Sequence, residues 1–202
     1  SYKKWMGLTP LVRTTLDLLD GGLRWEKPSG SMVKWFIPIV QPVAFFKRHQ
    51  VIPPYTMGAY LGDGSTRTGA FQIAARDQEI KDRVRSELPE SLKMGDREYD
   101  HCWYIRKSGT KGPHVYLENL DRLGLRHRYS YEKFIPEDYL YSSIEDRIAL
   151  LQGLMDTDGT ASLKEGKINF STTSRQLAFD IQFLVQSLGG IARYSLRPPQ
   201  KP

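Results

Sequence analysis

Cysteine is almost missing from this chain: Cys102 is the single one in 202 residues. That excludes an intrachain disulfide and a cysteine-cluster zinc site, and it fits a reducing compartment. No apolar run approaches the roughly 18 residues of a membrane span. The opening Ser1-Tyr2-Lys3-Lys4-Trp5 has no signal-peptide core. The expectation is a soluble, cytoplasmic protein with no membrane partner. Histidine is scarce too, 4 in all, and His114 and His127 lack the spacing of metal ligands. Charge is not scarce. The net value of +6 hints at a polyanionic partner. Its distribution is uneven: residues 1–55 carry 8 Lys/Arg against 3 Asp/Glu, residues 56–141 carry 14 against 14, and residues 142–202 carry 7 against 6.

Three regions follow from pattern and charge. Residues 1–50 form a basic N-terminal region, rich in Pro, Gly and Trp, with strand-like runs at Val33–Val40 and Val43–Phe46. Ile52-Pro53-Pro54 stops that pattern. Residues 51–141 then read as a helix over Tyr55–Gly62, a strand near Gly69–Arg76, a helix over Asp77–Leu88 capped by Asp77, and a strand at His101–Arg106. A further strand is expected at His114–Leu117, before a short helix ending at Gly124. Residues 142–202 repeat the order. A helix capped by Ser142 or Ser143 runs to Asp156-Thr157-Asp158-Gly159, strands flank a Glu165-Gly166 turn, and Ser174 caps a long helix stopped by Gly189-Gly190. Ile191–Leu196 is the expected last strand, with Pro198-Pro199 behind it. The two Asp-Gly pairs, at positions 63 and 158, mark an internal duplication.

Both first helices end on an acid. Asp63 and Asp158 therefore sit at the negative ends of helix dipoles, which is unfavourable by a few tenths of a kcal/mol or more. Gly58, Ala59 and Gly62 in one helix, and Gly153 in the other, are small enough for near-backbone contact. Packed side by side, the helices would bring two carboxylates and two negative dipole ends together. Such a cluster calls for cations. Oxygen ligands of this kind suit Mg²⁺, which keeps waters and takes further ligands from phosphate. This is the chemistry of two-metal phosphodiester hydrolysis. An EF-hand reading of Asp156-Thr157-Asp158-Gly159 fails, because glycine falls fourth rather than sixth. Gly64, following Asp63, is expected to take a left-handed cap conformation.

The pair Thr56-Met57-Gly58-Ala59-Tyr60-Leu61-Gly62-Asp63-Gly64 and Leu151-Gln152-Gly153-Leu154-Met155-Asp156-Thr157-Asp158-Gly159 resembles the LAGLIDADG, or dodecapeptide, homing endonucleases. Two copies in one chain are similar to the monomeric form. Pro42-Val43, Ile52-Pro53-Pro54-Tyr55, Lys133-Phe134-Ile135-Pro136, and Ser171–Leu177 through Ser187–Gly190 resemble the intein-borne members. The resemblance spans roughly residues 38–196. It implies an α+β fold of two pseudo-symmetric αββαββ(α) halves with antiparallel, saddle-shaped sheets lying in a DNA major groove. It implies a monomer that breaks both strands of double-stranded DNA at a long recognition site, in an intein-free or intron-free allele, leaving 3′ overhangs. Asp63 and Asp158, with the backbone carbonyls of Gly62 and Thr157, would hold two or more divalent ions, Mg²⁺ in the first place. Lys133 matches a family lysine near the active site and joins Asp63 and Asp158 as a catalytic candidate.

On this resemblance, DNA contacts come from outward polar positions of the strands. The candidates are Arg67, Gln72, Arg76, Arg106, Lys107, Lys111, Lys164, Lys167, Asn169, Arg193 and Arg197. Arg122, Arg126, His127 and Arg128 form a further phosphate-gripping cluster. Two departures stand out. The second half is short of a fourth strand, a closing helix and a second Lys-x-Ile-Pro block, and no Thr-x-x-His or terminal His-Asn splicing block is present. Residues 1–50 are then an intein remnant or a DNA-contacting arm. The alternative reading is a degenerate member that binds DNA or intron RNA without cutting.

Overall fold

The computed structural model describes residues 11–37, 39–95, 101–162, 164 and 166–197. Of the sequence expectations, those on Ser1–Trp5, Pro38, Leu163, Glu165, Pro198 and Pro199 lie outside the described residues. The chain divides into two units, Ser1–Val40 and Gln41–Pro202.

In the first unit, Thr14 and Asp17 close a capping box at the start of α1 (Thr15–Asp20). Strand β1 (Arg24–Lys27) pairs antiparallel with β2 (Gly30–Val33) as a hairpin. Neither the helix nor the hairpin buries a residue. The expected strand Val33–Val40 ends at its first residue. Val33 pairs with Arg24, the first residue of β1, and among the described residues no partner strand extends further. Lys34 lies between the rings of Trp25 and Trp35 and donates to the Gly21 carbonyl instead.

The second unit opens with residues 41–53, which contain no strand. The run Val43–Phe46 is fastened at Val43 rather than laddered: Val43 N–H donates to the Ser187 carbonyl at 2.9 Å, and the Val43 carbonyl accepts from Arg147. Then come α2 (Pro54–Asp63), β3 (Gly64–Ser65), β4 (Phe71–Ala74), α3 (Gln78–Ser86), β5 (Leu92–Met94), β6 (Cys102–Lys107) and α4 (Val115–Arg122). A 3-10 turn at Ser130–Glu132 and a short α5 (Glu137–Leu140) lead to α6 (Ile144–Asp158), β7 (Gly159–Ser162), β8 (Lys167–Phe170) and α7 (Arg175–Ser187). The first half carries an antiparallel sheet in the order β3-β4-β6-β5, and the second carries the hairpin β7-β8. Among the described residues no helix is long and apolar enough to cross a membrane.

Helices α2 and α6 form the spine. Residues Tyr55–Leu61 of α2 are all buried. A Cβ on Gly58 would collide with backbone atoms of Leu150 and Leu154, and one on Gly153 with those of Tyr55 and Ala59. The contact is reciprocal, as a two-fold relation between the helices requires. Helix α2 has no side-chain cap of its own, and Glu87 beyond α3 accepts from Thr56 N–H at 3.0 Å in its place. Caps predicted from sequence are present at Asp77, Ser143 and Ser174.

Three local expectations are corrected. Gly64 is extended, at φ −95 and ψ 158, because α2 runs straight into β3. It is glycine because a Cβ would strike Tyr60. His114 starts no strand: its ring nitrogen accepts from Leu117 N–H and caps α4, whose inner face buries Tyr116, Leu117 and Leu120. Ile191–Leu196 forms no strand. It is held through side chains, by Gln182 donating to the Ala192 carbonyl and by Phe179 packing on Tyr194. The sequence reading also passed over β5.

The two halves therefore differ in completeness. Gly64 pairs with Ile73 and Gly159 with Phe170, so register makes Ile168 the counterpart of Phe71. Phe71, paired beside Ile105 of β6 and packed on Tyr60 of α2 and Tyr116 of α4, is 0% exposed, while Ile168 is 74% exposed. Among the described residues nothing equivalent to β5, β6 and α4 covers the second sheet.

Candidate catalytic clefts at the two helix ends

The spine delivers Asp63 and Asp158 to one end of the molecule, each as the last residue of its helix. Burial raises both carboxyls above the usual range. Asp158 is raised further by the charge of Asp63, and Lys133 opposes the rise in each. The repulsion expected from the acid-ended helices is felt at Asp158, with one cation set against it.

That cation is not on the surface. Lys133 is 3% exposed. Its Nζ donates to the carbonyls of Tyr60 at 3.0 Å, Leu61 at 3.1 Å, Gly62 at 3.2 Å and Gly64 at 2.8 Å. The Leu61 and Gly62 carbonyls lie in the last turn of α2, where carbonyls lack helical partners, so the ammonium satisfies them and offsets the dipole; the Tyr60 carbonyl also accepts from Gly64 N–H, and Gly64 belongs to β3. Burial pulls its pKa down to about 8, against the attraction of Asp158 and Asp63. The counterpart carbonyls at the end of α6, one repeat on, belong to Met155, Asp156, Thr157 and Gly159. No lysine bond to them is found among the described residues.

Two clefts flank the carboxylates. One, of ≈ 380 Å³, is lined by Leu61, Gly62, Asp63, Ser130, Lys133, Asp158 and Ser171–Thr173. The other, of ≈ 350 Å³, is lined by Asp63, Ala74–Asp77, Ile80, His101, Asp156 and Thr157. Each uses the loop after the second strand of one half, so the clefts are related by the internal repeat, and Asp63 borders both. In the second cleft Asp156 is fixed by Tyr55, whose hydroxyl donates to it at 2.8 Å. Thr157 turns its hydroxyl back onto the Gly153 carbonyl at 3.0 Å, leaving its own carbonyl as the available donor atom.

Among the described residues, no three His, Cys, Asp or Glu side chains gather into a metal cage. What exists is an oxygen-only set of two carboxylates and helix-terminal carbonyls. Such a set suits a hard ion that draws its remaining ligands from water and phosphate. The Gly62 carbonyl is shared with Lys133.

The predicted DNA-contacting residues fall into three groups. Gln72 and Arg106 occupy the outward face of the first sheet, since the alternate residues Phe71, Ile73, Trp103 and Ile105 point into the core. Lys167 and Asn169 alternate likewise on β8, and Asn169 holds the register position of Gln72. Arg76 lines the second cleft. The others lie off the strands or are engaged. Lys107 braces the following turn through the carbonyls of Thr110 and Gly112. Arg67 stacks 3.8 Å above the Tyr129 ring. Lys111, Lys164, Arg193 and Arg197 sit in turns or irregular chain. In the phosphate-gripping cluster, Arg126 pairs with Asp121 and Arg128 with Glu132. Sequence reasoning missed Lys93 and Tyr104, which share the outward face with Arg106 and Gln72 through direct cross-strand pairing. The alternation in Leu92-Lys93-Met94 was the available signal, but it spans only three residues.

Two half-domains joined through acid-ended helices, with antiparallel sheets beside them, define a mixed α+β, homing-endonuclease-like fold. Residues 145–201 match the model of the LAGLIDADG-like domain. The chain is thus similar to LAGLIDADG-like domains over that stretch. It is similar to the replicative DNA helicase DnaB of Mycobacterium intracellulare, at 37% identity over 142 residues, covering 70% of this chain and 20% of that protein. It is also similar to the DnaB helicases of Nostoc, at 31% identity with 70% and 18% covered, and Synechocystis, at 32% identity with 69% and 18% covered. The chain spans about a fifth of the length of these curated relatives.

Proposed function

We propose that this chain is a site-specific DNA endonuclease that breaks both strands of a long target, acting as a monomer through both copies of its motif. The observation that carries the reading is the convergence of Asp63 and Asp158 at the ends of two interlocked helices, with Lys133 buried beside them. The match of residues 145–201 to the LAGLIDADG-like domain supports it, and so does the outward row of Gln72, Lys93, Tyr104 and Arg106, which suits the polar edges of a DNA groove. Alignment to a fifth of DnaB-type helicases supports an element carried within a helicase gene, which makes the uninterrupted allele the natural target. Asp63 and Asp158, with the carbonyls of Gly62 and Thr157, would hold Mg²⁺, which when bound offsets phosphate charge and favours ionisation of water. Lys133 keeps the end of α2 in place and would contribute positive charge where the five-coordinate phosphorus of the transition state develops negative charge on its oxygens.

A supercoiled plasmid bearing an uninterrupted DnaB-type helicase gene tests this. Linearisation that requires Mg²⁺, and that is lost in Asp63→Asn and in Asp158→Asn, is the expected result. Tight binding of that plasmid without cutting, in Mg²⁺ and in Mn²⁺, would overturn the nuclease assignment in favour of a DNA-binding protein.

A further inference from the structure

Lys133 reaches four carbonyls of the first half, yet its own backbone is held by the second. The segment Lys133–Pro136 has no regular structure, and Lys133 itself is extended at φ −68 and ψ 148. Ser174, the N-cap of α7, and Asp180 within that helix grip the segment. Ser174 Oγ donates to the Lys133 carbonyl at 2.6 Å, and Asp180 Oδ2 accepts from Ile135 N–H at 2.8 Å. Both side chains are enclosed, Ser174 at 1% and Asp180 at 6% exposure. Each is itself fixed: Ser174 Oγ also accepts from Leu177 N–H at 3.1 Å, and Gln176 Nε2 donates to Asp180 Oδ1 at 2.8 Å.

Asp180 is an expensive choice for this place. A carboxylate out of water costs free energy unless a cation faces it. Among the described residues its hydrogen-bond partners are a peptide N–H and an amide, neither of them cationic. A neutral acceptor would satisfy Ile135 at lower cost. A carboxylate makes the shorter and stronger bond, and so holds the backbone more stiffly. Stiffness matters here because a lysine side chain is long and rotamer-rich. Four simultaneous carbonyl contacts demand that its Cα stay within a fraction of an ångström.

We propose that Ser174 and Asp180 are positioning residues that set the placement of Lys133 in its cleft, so that α7 of the second half adjusts the active-site end of α2 in the first. The part concerning cleavage rests on the nuclease reading above; the placement of Lys133 does not.

The test uses the full chain and two readouts. Trace acetylation by acetic anhydride, followed by mass spectrometry, compares Lys133 with the exposed Lys93. In the wild type Lys133 is protected. Ser174→Ala and Asp180→Val are expected to raise its labelling roughly tenfold with Lys93 unchanged, while Ser174→Thr and Asp180→Asn keep most of the protection. On the plasmid substrate, the first pair is expected to slow single-turnover cleavage roughly 10- to 100-fold at unchanged DNA affinity, as for a misplacement near 1 Å. The conservative pair restores the rate. Unchanged Lys133 labelling in folded Ser174→Ala overturns the proposal, and so does labelling that rises equally at every lysine. If Asp180→Val fails to fold, Ser174→Ala against Ser174→Thr decides. A wild type that cuts nothing removes the nuclease reading, and the labelling still decides the placement.

Discussion

Gly58 and Gly153 have no room for one more carbon, and that restriction sets the distance between two carboxylates several residues away. A Cβ at either position meets backbone atoms of the facing helix, which have no rotamer to escape into. Overpacking of this kind costs about 1–3 kcal/mol, or more where backbone must shift. The helix propensity of alanine returns about 1 kcal/mol. Gly58→Ala should therefore destabilise the protein by about 2 kcal/mol and also weaken the coupling of Asp158 to Asp63. Urea unfolding measures the first, and an unchanged midpoint would show that the helices are looser than described. Gly64 and Gly159 are a different case. Both are extended, and their lack of a side chain clears Tyr60 and Met155 instead of permitting a left-handed turn.

At the scale of elements, α6 does more than end on an acid. Its Arg147 is fully buried. The guanidinium donates to the Ser142 carbonyl at 3.0 Å, to the Ser187 carbonyl at 2.9 Å and to the Val43 carbonyl, and it lies over the Phe45 ring. One side chain thus ends α7, fastens the strap at residues 41–48 and fixes the start of α6. Replacing it with Met keeps much of the volume but takes this donor from the Ser142 and Val43 carbonyls, each costing about 1–3 kcal/mol, while the Ser187 carbonyl keeps Val43 N–H. Arg147→Met should therefore lower stability by at least about 2 kcal/mol and expose the strap to protease before the rest of the chain. Wild-type midpoints together with an intact strap would contradict this. Within the strap, the apolar run Val43–Phe46 reads as strand-like from sequence, but a buried arginine can anchor an extended segment as firmly as a ladder.

Over the whole molecule the internal repeat is unequal. The first half closes its sheet with β5 and β6 and covers it with α4, whereas β7 and β8 stand as a pair with Ile168 open. A two-stranded hairpin is marginal by itself, and regions with few buried contacts open at lower free energy. Hydrogen exchange should therefore be faster in β7 and β8 than in β4 and β6, by tenfold for every 1.4 kcal/mol of difference in opening free energy. Equal protection in the two sheets would mean that the second hairpin is covered in solution. The inequality extends to the clefts. Lys133 serves the end of α2, and among the described residues no lysine serves the end of α6.

The amino-acid sequence by itself determined the two acid-ended helices, their small-residue faces, the caps at Asp77, Ser143 and Ser174, and the family these features resemble. All of these depend on residues a few positions apart, where capping and helical periodicity act. Only the tertiary structure decided that Lys133 is buried on four carbonyls, that Ser174 and Asp180 hold it, that Lys93 and Tyr104 join the outward row, and that the expected strand at Ile191–Leu196 is irregular chain. Each of these depends on a partner far away in sequence. A strand exists only if another strand pairs with it, and a lysine becomes an internal cation only where a helix end lies within reach of its side chain.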